Sequence, residues 1–493
     1  MRIVTATLIS FYSRCTLMFM WILWSVIIAT IAWMWQKKKH LYFEERGVKY
    51  LPTVPFVGNI LPTFMNKEHF SETVNKIFGS FEFARPVVYA RDLELIRLVG
   101  VKDFEHFVDH SPISSDSDPI FAKSLFGLKG NTLGDRWRDM RSTLSPAFTA
   151  SKLKKMVPLI MECNKEMIIC GCEGNKFMDL DTRDLLTRYT NDVIATCAFG
   201  LKINSLKEKN NKFYQSGKKL TKFTPFPFLR KIAKFTIFDP ESIEFMENIV
   251  LSTMKMRDKN KSFRPDMIQI LLEVKKAWTD DYLAAQALLF FFAGFDTVST
   301  CMTFLLLELA INQDVQEKLL QEINEQYNKN DGKLDYEKIN EMKYLDMVVS
   351  ETLRKWPPAQ ALDRYCVKDY NMGKPNKNSK EDFIGMSLTI PIYSIQHDPS
   401  YFPNPKQFDP ERFSDENKNN IKPFSYLPFG VGPRNCIGSR FALTEVKVMI
   451  FELIRRLEVS PAPQTVLPPR FDLKQGFVPR LEGGDWLRYT LRQ

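Results

Sequence analysis

Residues 428–438, Pro-Phe-Gly-Val-Gly-Pro-Arg-Asn-Cys-Ile-Gly, wrap one cysteine in glycines, an aromatic ring and a cation. A disulfide needs a second thiol, and a structural zinc site usually needs four ligands at short spacing. Cys436 has neither close by: the preceding cysteine is Cys366 and none follows. Of the others, only Cys170 and Cys172 lie near each other, so the chain carries no disulfide framework. Scattered, reduced thiols suit a cytosol-facing body. Glycines let a backbone turn tightly and approach a flat group closely. The amphipathic run 440–459 starts just beyond Cys436, and a cysteine at a helix N-terminus has its thiolate favoured by free N–H groups and the helix dipole. The loop suits a single thiolate ligand and one large partner.

From Cys15 to Gln36 there is no charge, about the 20 apolar residues that a bilayer-crossing helix needs. Lys37, Lys38 and Lys39 follow at once, with Trp21, Trp24, Trp33 and Trp35 toward the two interfaces. A cleaved signal peptide is the alternative, but the apolar run is long for one and continues past the small residues Thr30-Ile31-Ala32. The expected organisation is an anchor over 1–36, a basic and Pro-rich linker over 37–62 stiffened by Pro52 and Pro55, and one large domain over 63–493. A net charge of +10 suits an anionic membrane surface or an acidic protein partner. No long basic tract or nucleic-acid module is present, so nucleic acid is not expected as a partner. Helical periodicity over 314–327, 337–356 and 440–459, against a β-rich 81–90, predicts a mainly α body with a minor β region.

Three further motifs carry chemistry. In Ala293-Gly294-Phe295-Asp296-Thr297, ending an apolar helical run, Gly294 removes a side chain where a small ligand could sit. The Thr297 hydroxyl can bond back to a carbonyl three or four residues earlier, and Asp296 can relay protons. In ETLR, Glu351 and Arg354 share a helical face, and Arg412 follows in FDPERF. In WRDMR, Trp137 and Arg141 lie one turn apart, and Arg364 follows the break at Pro357 and Pro358. Each motif alone is ordinary: a buried helix, a surface ion pair, a solvated basic helix. His106 and His110 lack the adjacent glutamate of a zinc-protease helix. At the cysteine loop, Phe429 is placed to shield the sulfur and Arg434 to pair with a carboxylate. One axial thiolate with cations for two propionates is what a haem requires.

Together these motifs resemble the cytochrome P450 family of haem-thiolate monooxygenases, over essentially the whole chain after the anchor. The likeness is greatest to the insect microsomal branch related to vertebrate family three. The resemblance implies the cytochrome P450 fold, a single large domain behind an N-terminal transmembrane helix. It implies haem b with Cys436 as axial thiolate and iron ligand, in a cofactor loop containing Phe429, Arg434 and Gly438. Trp137, Arg141 and Arg364 would bind the propionates, and Asp296 with Thr297 would form the acid–alcohol pair of the central helix. Val298 departs from the Thr or Ser common at its position. Glu351, Arg354 and Arg412 would form a buried structural triad beneath the loop.

The implied activity inserts one atom of O2 into lipophilic small molecules. The chain has no flavin or nicotinamide domain, so electrons are expected from NADPH–cytochrome P450 reductase, with cytochrome b5 as a second partner. The implied location is the endoplasmic reticulum membrane, single-pass, with the catalytic domain facing the cytoplasm. Two rivals stay open: a haem-thiolate isomerase or dehydratase, and a non-catalytic carrier or sensor. By resemblance the pocket takes Phe107, Phe121, Phe126, Phe291, Phe292, Leu362 and Phe477, so broad specificity for lipophilic compounds is expected. Residues 220–235, where phenylalanines alternate with lysines and arginine, are expected to touch the membrane a second time.

Overall fold

The computed structural model describes every residue except 1, 46–49, 51–78, 83–84, 112–118, 131–135, 173–175, 222–237, 265, 276, 369, 372–386, 473–477 and 493. Pro52, Pro55, nearly all of segment 220–235 and Phe477 therefore lie outside the described residues. The uncharged N-terminal run belongs to one helix, α1 (Arg2–Glu44), whose residues 16–31 are all exposed. It continues past Gln36 because no glycine or proline occurs before Gly47, so the start of the expected linker is helical.

Two small sheets flank the helices. One has the order β1-β2-β5-β4, built from β1 (Gly79–Glu82), β2 (Arg85–Tyr89), β4 (Leu362–Tyr365) and β5 (Ser387–Ile390). Only the β2–β5 pair is parallel. The other joins β3 (Phe177–Asp181), β7 (Trp486–Leu491) and β6 (Leu457–Pro461) in antiparallel fashion.

The principal helices after α1 are α2 (Arg136–Leu144), α3 (Ala150–Cys172), α4 (Thr182–Cys197), α5 (Asp280–Ile311), α6 (Gln313–Lys329), α7 (Lys343–Lys355) and α8 (Ser439–Arg456). The centre is α5. A helix apolar on every face belongs in an interior, and 67% of its most apolar window is buried, so it is a core helix although long enough to cross a membrane. Asp280 and Asp281 in its first turn complement the helix dipole. A Cβ on Gly294 would stand 2.9 Å from Ile194 Cδ1 on α4. That glycine serves the close approach of two helices and does not clear space for a ligand, contrary to the sequence expectation.

The helix expected over 337–356 is two, Tyr336–Glu341 and α7, separated at the extended, buried Met342. The break is stabilised because Glu322 on α6 accepts from the free N–H groups of Tyr344 and Leu345 at 2.8 and 2.9 Å. The helix expected to reach residue 459 ends at Arg456, since Leu457 and Val459 are buried as alternate residues of β6. Trp356, just past α7, stacks on Phe304 of α5 with centroids 4.6 Å apart and donates to Glu308 at 2.6 Å. Such a ring pair contributes about 1 kcal/mol beyond its buried area. It fixes α7, and the ETLR motif on it, against the central helix.

Candidate active site

The cysteine loop closes on itself: Cys436 N donates to Phe429 O at 2.8 Å, and Asn435 N donates to Gly432 O at 3.0 Å. Gly432 has φ +71, and a Cβ there would lie 1.7 Å from Gly100 O, so only glycine fits. At Gly438 the missing Cβ would meet only Phe148 at 3.7 Å, an ordinary contact, so the protein itself leaves that position open. Phe429 is half-buried and packs against the main core. Cys436 is exposed, whereas the other free cysteines among the described residues are buried or half-buried. Surrounding protein nevertheless pushes the Cys436 thiol pKa up, while the Gly438 N–H and the Arg141 cation pull it down. A side chain both accessible and desolvated faces an interior cleft.

Four basic or aromatic groups gather round this loop. Arg141 on α2 donates to Asn435 O at 2.7 Å and to Asn435 Oδ1 at 2.8 Å, holding the residue before the cysteine. Arg434 donates to the carbonyls of Val108, Leu125, Phe126 and Leu128 and lies 3.8 Å from Asp109. Its guanidinium also sits 4.3 Å from the ring centre of the buried Trp137. The sequence reading expected Trp137, Arg141 and Arg434 to reach the carboxylates of a cofactor. In this structure Arg141 and Arg434 aim at protein oxygens and staple α2, Val108 and residues 125–128 to the loop. Burial, and then neighbouring Arg364, push the Arg434 pKa down to about 9.

Arg364 on β4 is different. It is fully buried, donates to Asp363 O at 2.7 Å and reaches Val431 O at 3.5 Å, yet its Nε–H has no partner. His110 bonds Asp363 at 2.9 Å through Nδ1 and stacks on Phe126, while His106 ends a short 3-10 turn. The two histidines therefore share no helical face.

On α5, Ala293 is exposed and Thr297 half-buried, and residues 289, 290, 292 and 294 are half-buried too, so this arc of a largely buried helix opens on a cleft. The Thr297 hydroxyl donates to Ala293 O, as its sequence position suggested. Asp296 is placed otherwise than expected. Its carboxylate is buried and accepts from Arg183 Nη2 on α4 at 2.8 Å, so an ion pair closes it off. Arg183 itself keeps Nε and Nη1 unpartnered. No spacing in the sequence pointed to it.

Residues 49–486 match the family model for Cytochrome P450. The chain belongs to the cytochrome P450 family. Similar relatives include cytochrome P450 9e2 of Blattella germanica, 44% identical over 94% of this chain and 95% of the relative. Probable cytochrome P450 9f2 of Drosophila melanogaster is 41% identical over 94% and 98% of the two chains. Cytochrome P450 6k1 of Blattella germanica is 34% identical over 90% and 92%.

As a P450 the chain is a haem-dependent monooxygenase whose iron is bound by a cysteine thiolate. The residues present fit that group. A buried guanidinium with an unpartnered N–H, beside the Arg434 cation and the Asp363 carboxylate, has room for an anionic partner, and a haem propionate would supply one. The accessible thiol at the head of α8 is placed where it could serve as the thiolate donor.

The P450 triad positions also come together. Glu351 and Arg354, both fully buried, pair at 2.7 and 2.8 Å. Arg412 lies 3.5 Å from Glu351 without hydrogen-bond geometry and donates instead to Asn404 O at 3.1 Å. The phenylalanines expected in the pocket divide. Phe107 is buried edge-on against Tyr370, and Phe291 is buried against Phe213 and Phe295, so both are core residues. Phe121, Phe126, Phe292 and Leu362 are only half-buried. Phe238, which the sequence reading missed, bridges Phe121 at 6.1 Å and Phe292 at 5.7 Å.

Proposed function

We propose that this P450 oxidises neutral, lipophilic small molecules, with Cys436 as the thiolate that would hold its haem iron and with electrons from NADPH–cytochrome P450 reductase, cytochrome b5 being a second donor. The observation that carries the reading is the accessible Cys436 thiol in a loop clamped by Arg141 and Arg434. When bound, the haem supplies the reductive activation of O2. The chain's own residues hold the group and manage protons. Arg364 and Trp137 would hold the propionates, and the Gly438 N–H and Arg141 favour the thiolate. The Thr297 hydroxyl directs its proton to Ala293 O, so its lone pairs can accept from a water in the cleft. Asp296 can feed that water only after parting from Arg183.

Replacing Thr297 by alanine should therefore preserve substrate binding and NADPH consumption while diverting reducing equivalents to hydrogen peroxide. Asp296→Asn should slow turnover itself. Product, NADPH and peroxide measured side by side check both, and wild-type coupling in the two variants would defeat the relay. Reconstitution with the reductase tests the wider reading, because a haem-thiolate isomerase would convert peroxides without consuming NADPH.

The half-buried rings of Phe121, Phe126, Phe238 and Phe292 offer apolar surface and few fixed polar groups, which orients ligands weakly. Lipophilic compounds of several classes should each be oxidised at more than one position. A product screen that finds high activity on one small polar acid and none on neutral lipophiles would overturn this.

We assign α1 as the anchor in the endoplasmic reticulum membrane. Lys37–Lys39 after the span favour a cytoplasmic catalytic domain. The exposed Arg136 and Lys155 offer basic surface to a reductase with a complementary acidic face.

A further inference from the structure

The helix α1 does not end in solvent. Its fully exposed stretch stops at Ile31, and from there Ala32, Trp35, Gln36 and Phe43 fall on one partly covered face. Phe43 has no exposed surface at all. Its ring lies 4.9 Å from Phe81 on β1 and 5.7 Å from Tyr50, and Tyr42 reaches Phe81 at 6.1 Å. Val88 on β2 closes the cluster. Tyr50 then bridges Gly79, so the chain rejoins the sheet beside the point where Phe43 docks.

The place of that docking matters. β1 is one edge of the four-stranded sheet, and β4, which carries Arg364, is the other. Three strand spacings, about 14 Å, separate the two edges. One hydrogen-bonded sheet thus links the end of the anchor to the arginine assigned to the haem rim. Phe43 lies roughly 7 Å of helix beyond Lys38, within reach of the headgroup layer. Tyr42 and Phe43 precede residue 49, where the family match begins, while their partners Tyr50, Phe81 and Val88 lie within it.

We propose that Phe43 clamps the membrane anchor to the catalytic body through this sheet, so that the fold sets the angle of the haem plane against the bilayer. A loose tether would let the body sample many orientations. Attachment by a ring cluster and a backbone bridge on the same sheet removes that freedom. The proposal rests on the haem and the membrane anchoring given above.

The test uses the full chain in aligned phosphatidylcholine bilayers, read by linear dichroism of the haem absorption. The wild-type chain should show strong dichroism. In Phe43→Ser it should fall toward the isotropic value while the thiolate-type absorption of the reduced, CO-bound protein is kept. A short Gly-Ser insertion after Glu45 should leave the wild-type dichroism intact, because the clamp and not the connecting backbone sets the angle. If Phe43→Ser loses its haem, Phe43→Leu decides: it keeps an apolar side chain but no ring contacts, and its dichroism should drop in part. Isotropic wild-type haem, dichroism unchanged by the Phe43 variants, or its loss on the insertion would each overturn the clamp while leaving the enzyme reading intact. A chain that fails to float with bilayers in a density gradient overturns the anchoring, and the clamp with it.

Discussion

Cys436→Ala should abolish both turnover and the thiolate-type absorption of the reduced, CO-bound protein. The sulfur is the accessible thiol of its loop, and its surroundings are arranged about it. Arg141 holds Asn435, the Gly438 N–H faces the sulfur, and the Phe429 carbonyl fixes the Cys436 N–H. The Arg141 and Phe429 contacts do not involve the sulfur, so the alanine variant keeps them and loses the donor atom together with its Gly438 N–H contact. Replacing the buried Cys197 or Cys301 is the control and should leave the spectrum as it was. A wild-type spectrum from Cys436→Ala would defeat the assignment of the ligand.

The second large effect is expected at Arg354. Burial pushes the Glu351 carboxyl up, and Arg354, the Asp409 N–H and Arg412 oppose that shift. Removing Arg354 leaves a buried acid without its main partner, a change that costs about 3–5 kcal/mol. The same guanidinium donates to the carbonyls of Gln396, Pro405 and Gln407. Gln396 in turn accepts from Leu427 N at 2.8 Å, immediately before the cysteine loop. Arg354→Ala should therefore lower the unfolding temperature and yield protein depleted of haem, measured by thermal melting and by haem per chain. Arg412→Ala should do less, since that cation is partly exposed and makes no hydrogen bond to Glu351. Equal effects from the two substitutions would mean that the route through Gln396 does not hold the loop.

The cysteine loop was legible in the sequence because it is local. Its turns, its cation and its position before a helix are all written within about one dozen residues, and such spacing survives in any tertiary context. The same holds for the Thr297 back-bond, which needs only its own helix, and for the long apolar run of α1. Gly432 could be read as a turn, but its reason could not: the carbonyl of Gly100 occupies the space of a side chain. Gly294 invited a ligand until Ile194 was seen to fill its place.

Charge was the least legible property. Arg183 and Asp296 are 113 residues apart, and only the packing of α4 on α5 turns a solvent-facing acid into one half of a buried ion pair. Arg434 lies two residues from Cys436, yet its partners are Val108, Leu125, Phe126 and Leu128, and they alone decide that it binds carbonyls. The phenylalanines show the same limit. Phe290, Phe291 and Phe292 follow one another at 100° steps round a helix apolar on every side, where periodicity cannot say which ring meets the core. The sequence by itself marked the candidate ligand, the helical body and the long apolar helix α1, because each is a run or a short spacing. Which side chains face the cleft, which cations stay free and how α1 meets the sheet were decided by tertiary packing, since those contacts join residues that no local pattern relates.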